Sequence, residues 1–227
     1  MPDTISAVIW DMDGTLVDTA ELHFEAWQLV ARELGQPFTR ADFVATFGRR
    51  NPEIIHQLFN RHFSEAEIAF WGDRKEQYYR VAAKKGVELL PGVRNLLEGL
   101  HVAGFKQAIG SSAPRGNLDL ILDLTGTAHF FEAIVSMEDT QRGKPDPQVF
   151  LVAAERLGVP PPRCTVIEDA VAGVQAAKAG GMKCIAVTFV GHHPEESLRR
   201  AGADRVVKTL EIVDVALVQS LLADPKE

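Results

Sequence analysis

The run Val8-Ile9-Trp10-Asp11-Met12-Asp13-Gly14-Thr15-Leu16-Val17-Asp18 most constrains what this chain can become. An apolar stretch with strand character ends in two carboxylates that bracket one apolar residue, and a glycine follows. Side chains alternate along a strand, so Asp11 and Asp13 would leave a regular strand on the same side. Like charges that close raise each other's pKa unless a proton or a cation sits between them. A polar turn closing the strand explains Gly14, but folding alone has no use for the paired carboxylates. Acid–base chemistry and metal binding both do, so the pair is read as part of an active site.

From about residue 88 onward, short β-rich runs alternate with helical patterns. Strands are predicted at Ile5–Asp11, Phe105–Gly110, Ala133–Ser136, Thr165–Glu168, Cys184–Thr188 and Arg205–Val207. Helices are predicted around Val93, Leu96, Leu97 and Leu100, around Leu118, Ile121 and Leu122, and around Phe150, Ala153, Ala154 and Leu157. Pro91 and Gly104 punctuate the first of these, and Gly158 ends the last. Strands with intervening helices imply an α/β fold with a doubly wound parallel sheet. Residues from about 19 to 86 break that rhythm: Leu22, Trp27, Leu29 and Leu34, then Ile54, Ile55, Leu58 and Phe59, fall at helical spacing. The expected organisation is an α/β core of residues 1–17 and 88–227, with a small all-helical cap of residues 18–87 inserted after the first strand. Ligands bind outside the carboxyl ends of such strands, and an insert leaving from that edge would cover the site as a lid.

The other strand ends carry matching chemistry. Ile109-Gly110-Ser111-Ser112 ends in hydroxyls before a helix, whose free N–H groups favour an anion. Gly143-Lys144-Pro145 sets one lysine between helix breakers, and Thr165-Val166-Ile167-Glu168-Asp169 ends in adjacent carboxylates. Taken singly these read as an N-cap, a solvated loop lysine and a polar strand end; together with the first pair they form a set. Hard oxygen ligands suit Mg2+, which would offset the repulsion between the carboxylates and a phosphate and polarise phosphorus. Lys144, Ser111 and backbone N–H groups would hold phosphoryl oxygens. One aspartate can attack phosphorus, and the second can protonate the leaving oxygen and later activate water, a role that calls for a raised pKa.

The balance of the chain fits a small-molecule enzyme. It has 46% hydrophobic and 24% charged residues and a net charge of −7, with no basic cluster. Nucleic acid is therefore not an expected partner. No apolar run approaches the ~20 residues of a membrane helix, and the N-terminus does not resemble a secretory signal. Cys164 and Cys184 stand beside apolar segments outside any metal-ligand spacing. They are expected to be buried thiols in a reducing compartment, the cytoplasm. A monomer is expected, because no exposed apolar helix stands out.

These motifs resemble the haloacid dehalogenase superfamily, in particular its phosphatase and β-phosphoglucomutase-like branch. Asp11-Met12-Asp13-Gly14-Thr15 is similar to its first motif, Ser111 to its second, Lys144 to its third and Glu168-Asp169 to its fourth. The resemblance implies that Asp11 is the nucleophile and a metal ligand. It implies that Asp13 is the acid/base and a ligand through its carbonyl, and that Asp169, supported by Glu168, completes the Mg2+ site. Asp18–Trp27 resembles the stretch that, in the mutases, brings a threonine and a histidine near the acid/base, which points to Thr19 and His23. Where those mutases set a Lys and an Arg around a Gly to clamp a remote phosphate, this chain reads Phe47-Gly48-Arg49-Arg50-Asn51. The arginines are shifted, and Arg74 and Lys75 are further candidates. The expected activity is hydrolysis of a small phosphate monoester such as a sugar phosphate, with a sugar phosphomutase as the alternative. Two non-enzymes use similar residues. A receiver domain is about half this length and takes its aspartate from an interior strand, and a catalytically silent phosphate-binding module would not fill every catalytic position.

Overall fold

Ala7–Trp10 (β1) is buried on both faces, which a strand achieves only inside a sheet covered by helices on each side. The computed structural model describes residues 5–59 and 62–223. Residues 1–4, 60–61 and 224–227, which fall within the spans expected for core and cap, lie outside the described residues. After β1 come four helices in succession: α1 (Ala20–Glu33), α2 (Arg40–Thr46), α3 (Asn51–Leu58) and α4 (Glu65–Ala83). Alternation then sets in, with α5 (Val93–Val102), β2 (Lys106–Gly110), α6 (Arg115–Thr125), β3 (Ala133–Val135), α7 (Gln148–Leu157) and β4 (Cys164–Glu168). The chain closes with α8 (Val171–Ala179), β5 (Lys183–Val187), α9 (Glu195–Arg200), β6 (Arg205–Val207) and α10 (Val215–Leu222).

The sheet is parallel throughout, in the order β3-β2-β1-β4-β5-β6. The winding direction reverses on either side of β1, so the crevice at its carboxyl end is the expected ligand position. Register fixes what meets there: Trp10 pairs with Ile109 on one side and Ile167 on the other. The residues following each strand, Asp11, Ser111 and Asp169, thus reach one edge. Alternation along β1 divides the core, with Val8 and Trp10 in one apolar cluster and Ala7 and Ile9 in the cluster on the opposite face. Cys164 and Cys184 are both buried free thiols, and burial pushes the Cys164 thiol up to about 12.

The helices between β1 and α5 have an apolar cluster of their own, including Phe24, Trp27, Val30, Phe38, Phe43, Ile54, Ile55 and Phe59. The stripe on α1 keeps the expected Trp27 but differs from the rest of the expected pattern. Leu29 is exposed and Leu22 packs against the main core, while Phe24, Trp27 and Val30 face the helical cluster. Aromatic contacts decide this: Trp27 lies against Phe38 and Phe59, and such rings bury more apolar area than a leucine. Capping boxes start α2 at Thr39 and α4 at Ser64, each side chain accepting from the N–H three residues on. No helix among the described residues is long and apolar enough to cross a membrane.

Candidate active site

Strand β1 ends at Trp10, and the next residues turn immediately. Leu16 and Val17 N–H donate to the Met12 carbonyl, and Gly14 N–H donates to that of Val17. Gly14 takes φ +86, and a Cβ there would stand 2.2 Å from Asp169 Oδ2, so both the backbone and the carboxylate opposite require glycine. Because of this turn, Asp11 and Asp13 do not share a strand face as the alternation rule predicts. Asp11 points across the sheet edge toward Lys144, whose Nζ is 2.5 Å from Asp11 Oδ1 and 2.7 Å from Glu168 Oε1. Asp13 points to the helices: Thr19 Oγ1 donates to its Oδ1 at 2.5 Å, His23 Nε2 lies 3.1 Å away and the Tyr79 hydroxyl 3.4 Å.

The two environments push the carboxyls apart. Burial raises Asp11 to about 7, with Glu168 and Asp13 adding to the effect and Lys144 opposing it. Burial acts on Asp13 as well, but His23, Thr19 and Lys75 outweigh it and hold the carboxyl at about 2. This corrects the expectation of a raised Asp13, because its neighbours are donors rather than the other carboxylate. Lys75 Nζ sits 2.6 Å from His23 Nδ1. An amine that donates there leaves Nε2 carrying the ring proton, 3.1 Å from Asp13 Oδ1 but without hydrogen-bond geometry to it. Tyr79 stacks on the His23 ring at 4.2 Å between centroids and holds its plane.

Asp11, Glu168 and Asp169 each offer an oxygen within 4.8 Å of the others. Asp169 is buried, its Oδ2 has no hydrogen-bond partner, and burial together with Glu168 and Asp11 raises its carboxyl well above the usual range. An unpartnered carboxylate oxygen among hard oxygen donors is what a small divalent cation stabilises, so these residues fit Mg2+. Glu168 stands behind the cluster. Its Oε1 holds Lys144, and its Oε2 accepts from the Asp169 and Ala170 N–H groups at 2.7 and 2.6 Å. The Asp13 side chain is outside this cluster. A Cβ on Gly173 would lie 1.7 Å from Glu168 Oε1. Gly173→Ala is therefore expected to displace Glu168, release Lys144 and destabilise the protein by ~1–3 kcal/mol, as read by urea denaturation.

Ser111 and Ser112 line the cleft beneath the helices. Ser111 Oγ accepts from the Ala113 N–H at 3.1 Å, which leaves its own hydrogen to donate. The cap-side wall is formed by His23, Trp27, Phe43, Phe47, Asn51 and Ile54, with Arg49, Lys75 and Glu76. Of the expected cap residues, His23, Arg49 and Lys75 face the cleft. Thr19 is fully buried and serves Asp13. Arg50 is turned away: it donates to Thr140, to the Thr140 carbonyl at 3.1 Å and to the Arg142 carbonyl at 2.9 Å, tying the cap to the loop before Lys144. Arg74 lies on the surface against Glu33 at 2.9 Å. Both were expected to bind substrate, and both find protein acceptors nearer to hand.

Glu76 was not legible beforehand, although a signal was present. Gly72, Lys75, Glu76, Tyr79 and Ala83 are the buried residues of α4. They recur at i, i+3, i+4, i+7 and i+11, the spacing of a buried helical stripe. Charged residues on such a stripe require partners, and two were present at 75 and 76.

The description of haloacid dehalogenase-like hydrolases matches residues 8–187. A phosphorylated carbohydrates phosphatase of Thermotoga maritima is 31% identical over 211 residues, 93% of this chain and 98% of that protein. A beta-phosphoglucomutase of Bacillus subtilis is 34% identical over 221 residues, 92% of this chain and 94% of that one. The crystal structure of a beta-phosphoglucomutase from Clostridium difficile superposes with a TM-score of 0.86 at 26% identity, covering 96% of this chain and 97% of that one.

Proposed function

The chain belongs to the haloacid dehalogenase-like hydrolases, and from that premise we propose that it is a Mg2+-dependent phosphatase of small phosphate monoesters, with sugar phosphates as the substrate class. The destination of the cap arginines carries this reading. A mutase must hold a second phosphate while its bisphosphate turns over, yet Arg50 is engaged by the core loop and Arg74 by Glu33. Arg49 remains at the cleft, with Gln57 3.1 Å from its guanidinium.

Asp11, Asp169 and, behind them, Glu168 would hold Mg2+, with the Asp13 carbonyl as a further donor. The ion would supply charge neutralisation at the phosphoryl oxygens and polarise phosphorus. The protein's own groups do the rest. Lys144 uses two of its three hydrogens on Asp11 and Glu168, leaving one for a phosphoryl oxygen, and the Ser111 hydroxyl donates to another. Asp11 attacks phosphorus as the ester P–O bond breaks, forming an aspartyl phosphate. Asp13 delivers a proton to the leaving oxygen. It then takes one from water, which attacks phosphorus, releases inorganic phosphate and regenerates Asp11. The first transfer needs Asp13 protonated, and the proton it takes from water at the end of one turnover serves the next; for the second transfer its hydrogen-bonding neighbours keep it ionised and ready.

The protein is further proposed to work in the cytoplasm as a monomer, on a metabolite rather than on nucleic acid or at a membrane. A panel of sugar phosphates assayed for inorganic phosphate tests the activity. Release with Mg2+ and loss of release with chelator is the expected result; no release from any member, by folded and Mg2+-supplied protein, contradicts it.

A further inference from the structure

Lys75 and Glu76 form a buried pair on the cap-side wall, with Nζ 2.9 Å from Oε1. Glu76 is 4% exposed, and Lys75, Asn51 and Asn117 donate to its carboxyl. Asn51 Nδ2 reaches Oε1 at 2.7 Å, and Asn117 Nδ2, from α6, reaches Oε2 at 2.6 Å. Arg80 Nη1 donates to Asn117 Oδ1 at 3.0 Å, which orients that amide with its NH2 toward Glu76. Burial pushes the Glu76 carboxyl up, but Lys75, His23, Asn51 and Asn117 outweigh it and hold it below the usual range.

This arrangement has a consequence for what fits above the phosphate. Lys75 is the buried cation of the cap wall, and its charge is already matched by Glu76. The pair therefore offers a second phosphate, or a carboxylate, on the far end of a substrate no net positive charge, and the Glu76 oxygens themselves repel it. A hydroxyl meets something else. An ionised carboxylate has about four acceptor sites, of which Asn51, Lys75 and Asn117 fill three. Lys75 places two of its hydrogens on His23 and Glu76, so a third is available to donate. Trp27, Phe43, Phe47 and Ile54 offer apolar surface for the C–H faces of a ring or chain. We propose that Glu76, held by Lys75, Asn51 and Asn117, is a specificity-determining residue. It admits phosphate monoesters with an uncharged polyhydroxy body and rejects those with a second anionic group. This rests on the phosphatase reading above.

The test compares kcat/KM for the sugar monophosphate turned over fastest with two anionic relatives, its aldonic-acid phosphate and its bisphosphate. A like charge set against a buried one costs several kcal/mol, so wild-type protein is expected to favour the uncharged body by on the order of 100-fold. Glu76→Gln, which removes the charge and keeps the shape, is expected to cut that preference at least ~10-fold, while Glu76→Asp retains most of it. Wild-type turnover of all three substrates at similar kcat/KM overturns the proposal without any variant. So does an unchanged preference in Glu76→Gln. If wild-type protein hydrolyses neither these nor p-nitrophenyl phosphate, the phosphatase reading itself fails, and the specificity proposal falls with it.

Discussion

Asp11→Asn is expected to lower turnover by ~10^4-fold or more, the scale at which removing a covalent nucleophile acts, while thermal stability is kept or raised. The two halves of this result have one cause. Asp11 is buried between Lys144 and Glu168, and burial raises its carboxyl to about 7. The folded protein thus bears an electrostatic cost at this position that the proposed chemistry uses and folding does not. An amide of the same shape removes both the nucleophile and the cost. Phosphate release and a thermal melt on the same preparation check the pair of outcomes. Loss of activity with loss of fold would point to a structural role instead.

Lys144→Ala is expected to go the other way on stability. Its Nζ joins Asp11 and Glu168, and all three side chains are at least nine-tenths buried. Removing the cation leaves carboxylates crowded at one strand edge, a change worth ~3–5 kcal/mol when one partner of a buried pair is lost. Turnover is expected to fall by ~10^2–10^3, the usual loss for one contact to the transferring group. Asp11→Asn combined with Lys144→Ala is then expected to be less unstable than Lys144→Ala alone, since the two residues share one interaction. Denaturant unfolding of the four proteins reads this coupling directly, and strict additivity would contradict it.

The meeting of Asp11, Ser111, Lys144, Glu168 and Asp169 at one sheet edge was legible in the sequence because strand ends are local features. Each motif stands where an apolar run stops, and a parallel sheet brings such stops together whatever the order of its strands. The cap was legible as helical but not residue by residue. Leu22, Trp27, Leu29 and Leu34 at helical spacing suggested the buried face of α1, and Trp27 lies on it, but Leu29 is exposed and Phe24 and Val30 complete the face. Asp11 and Asp13 looked like neighbours on one face until the turn at Gly14 separated them, and a turn's direction is not encoded in a period of two. The cap arginines failed for a different reason. Arg50 and Arg74 have flexible, multidentate side chains, and which acceptor they reach depends on parts of the chain far away in sequence, such as Thr140, or on another helix, such as Glu33. Glu76 escaped because only the cations of α4, Arg74 and Lys75, stood out as partners for a phosphate, while the stripe that Lys75 and Glu76 share with Gly72, Tyr79 and Ala83 is the buried one.

The central claim is that phosphoryl transfer at Asp11 ends on water. Its most direct test is 31P NMR of the protein with Mg2+, β-glucose 1-phosphate and other sugar phosphates, and a trace of the corresponding bisphosphate. Inorganic phosphate is expected to accumulate from at least one sugar phosphate, with no faster appearance of the isomeric sugar phosphate, and to vanish in Asp11→Asn. Isomer forming ahead of inorganic phosphate would contradict the account and make the enzyme a mutase.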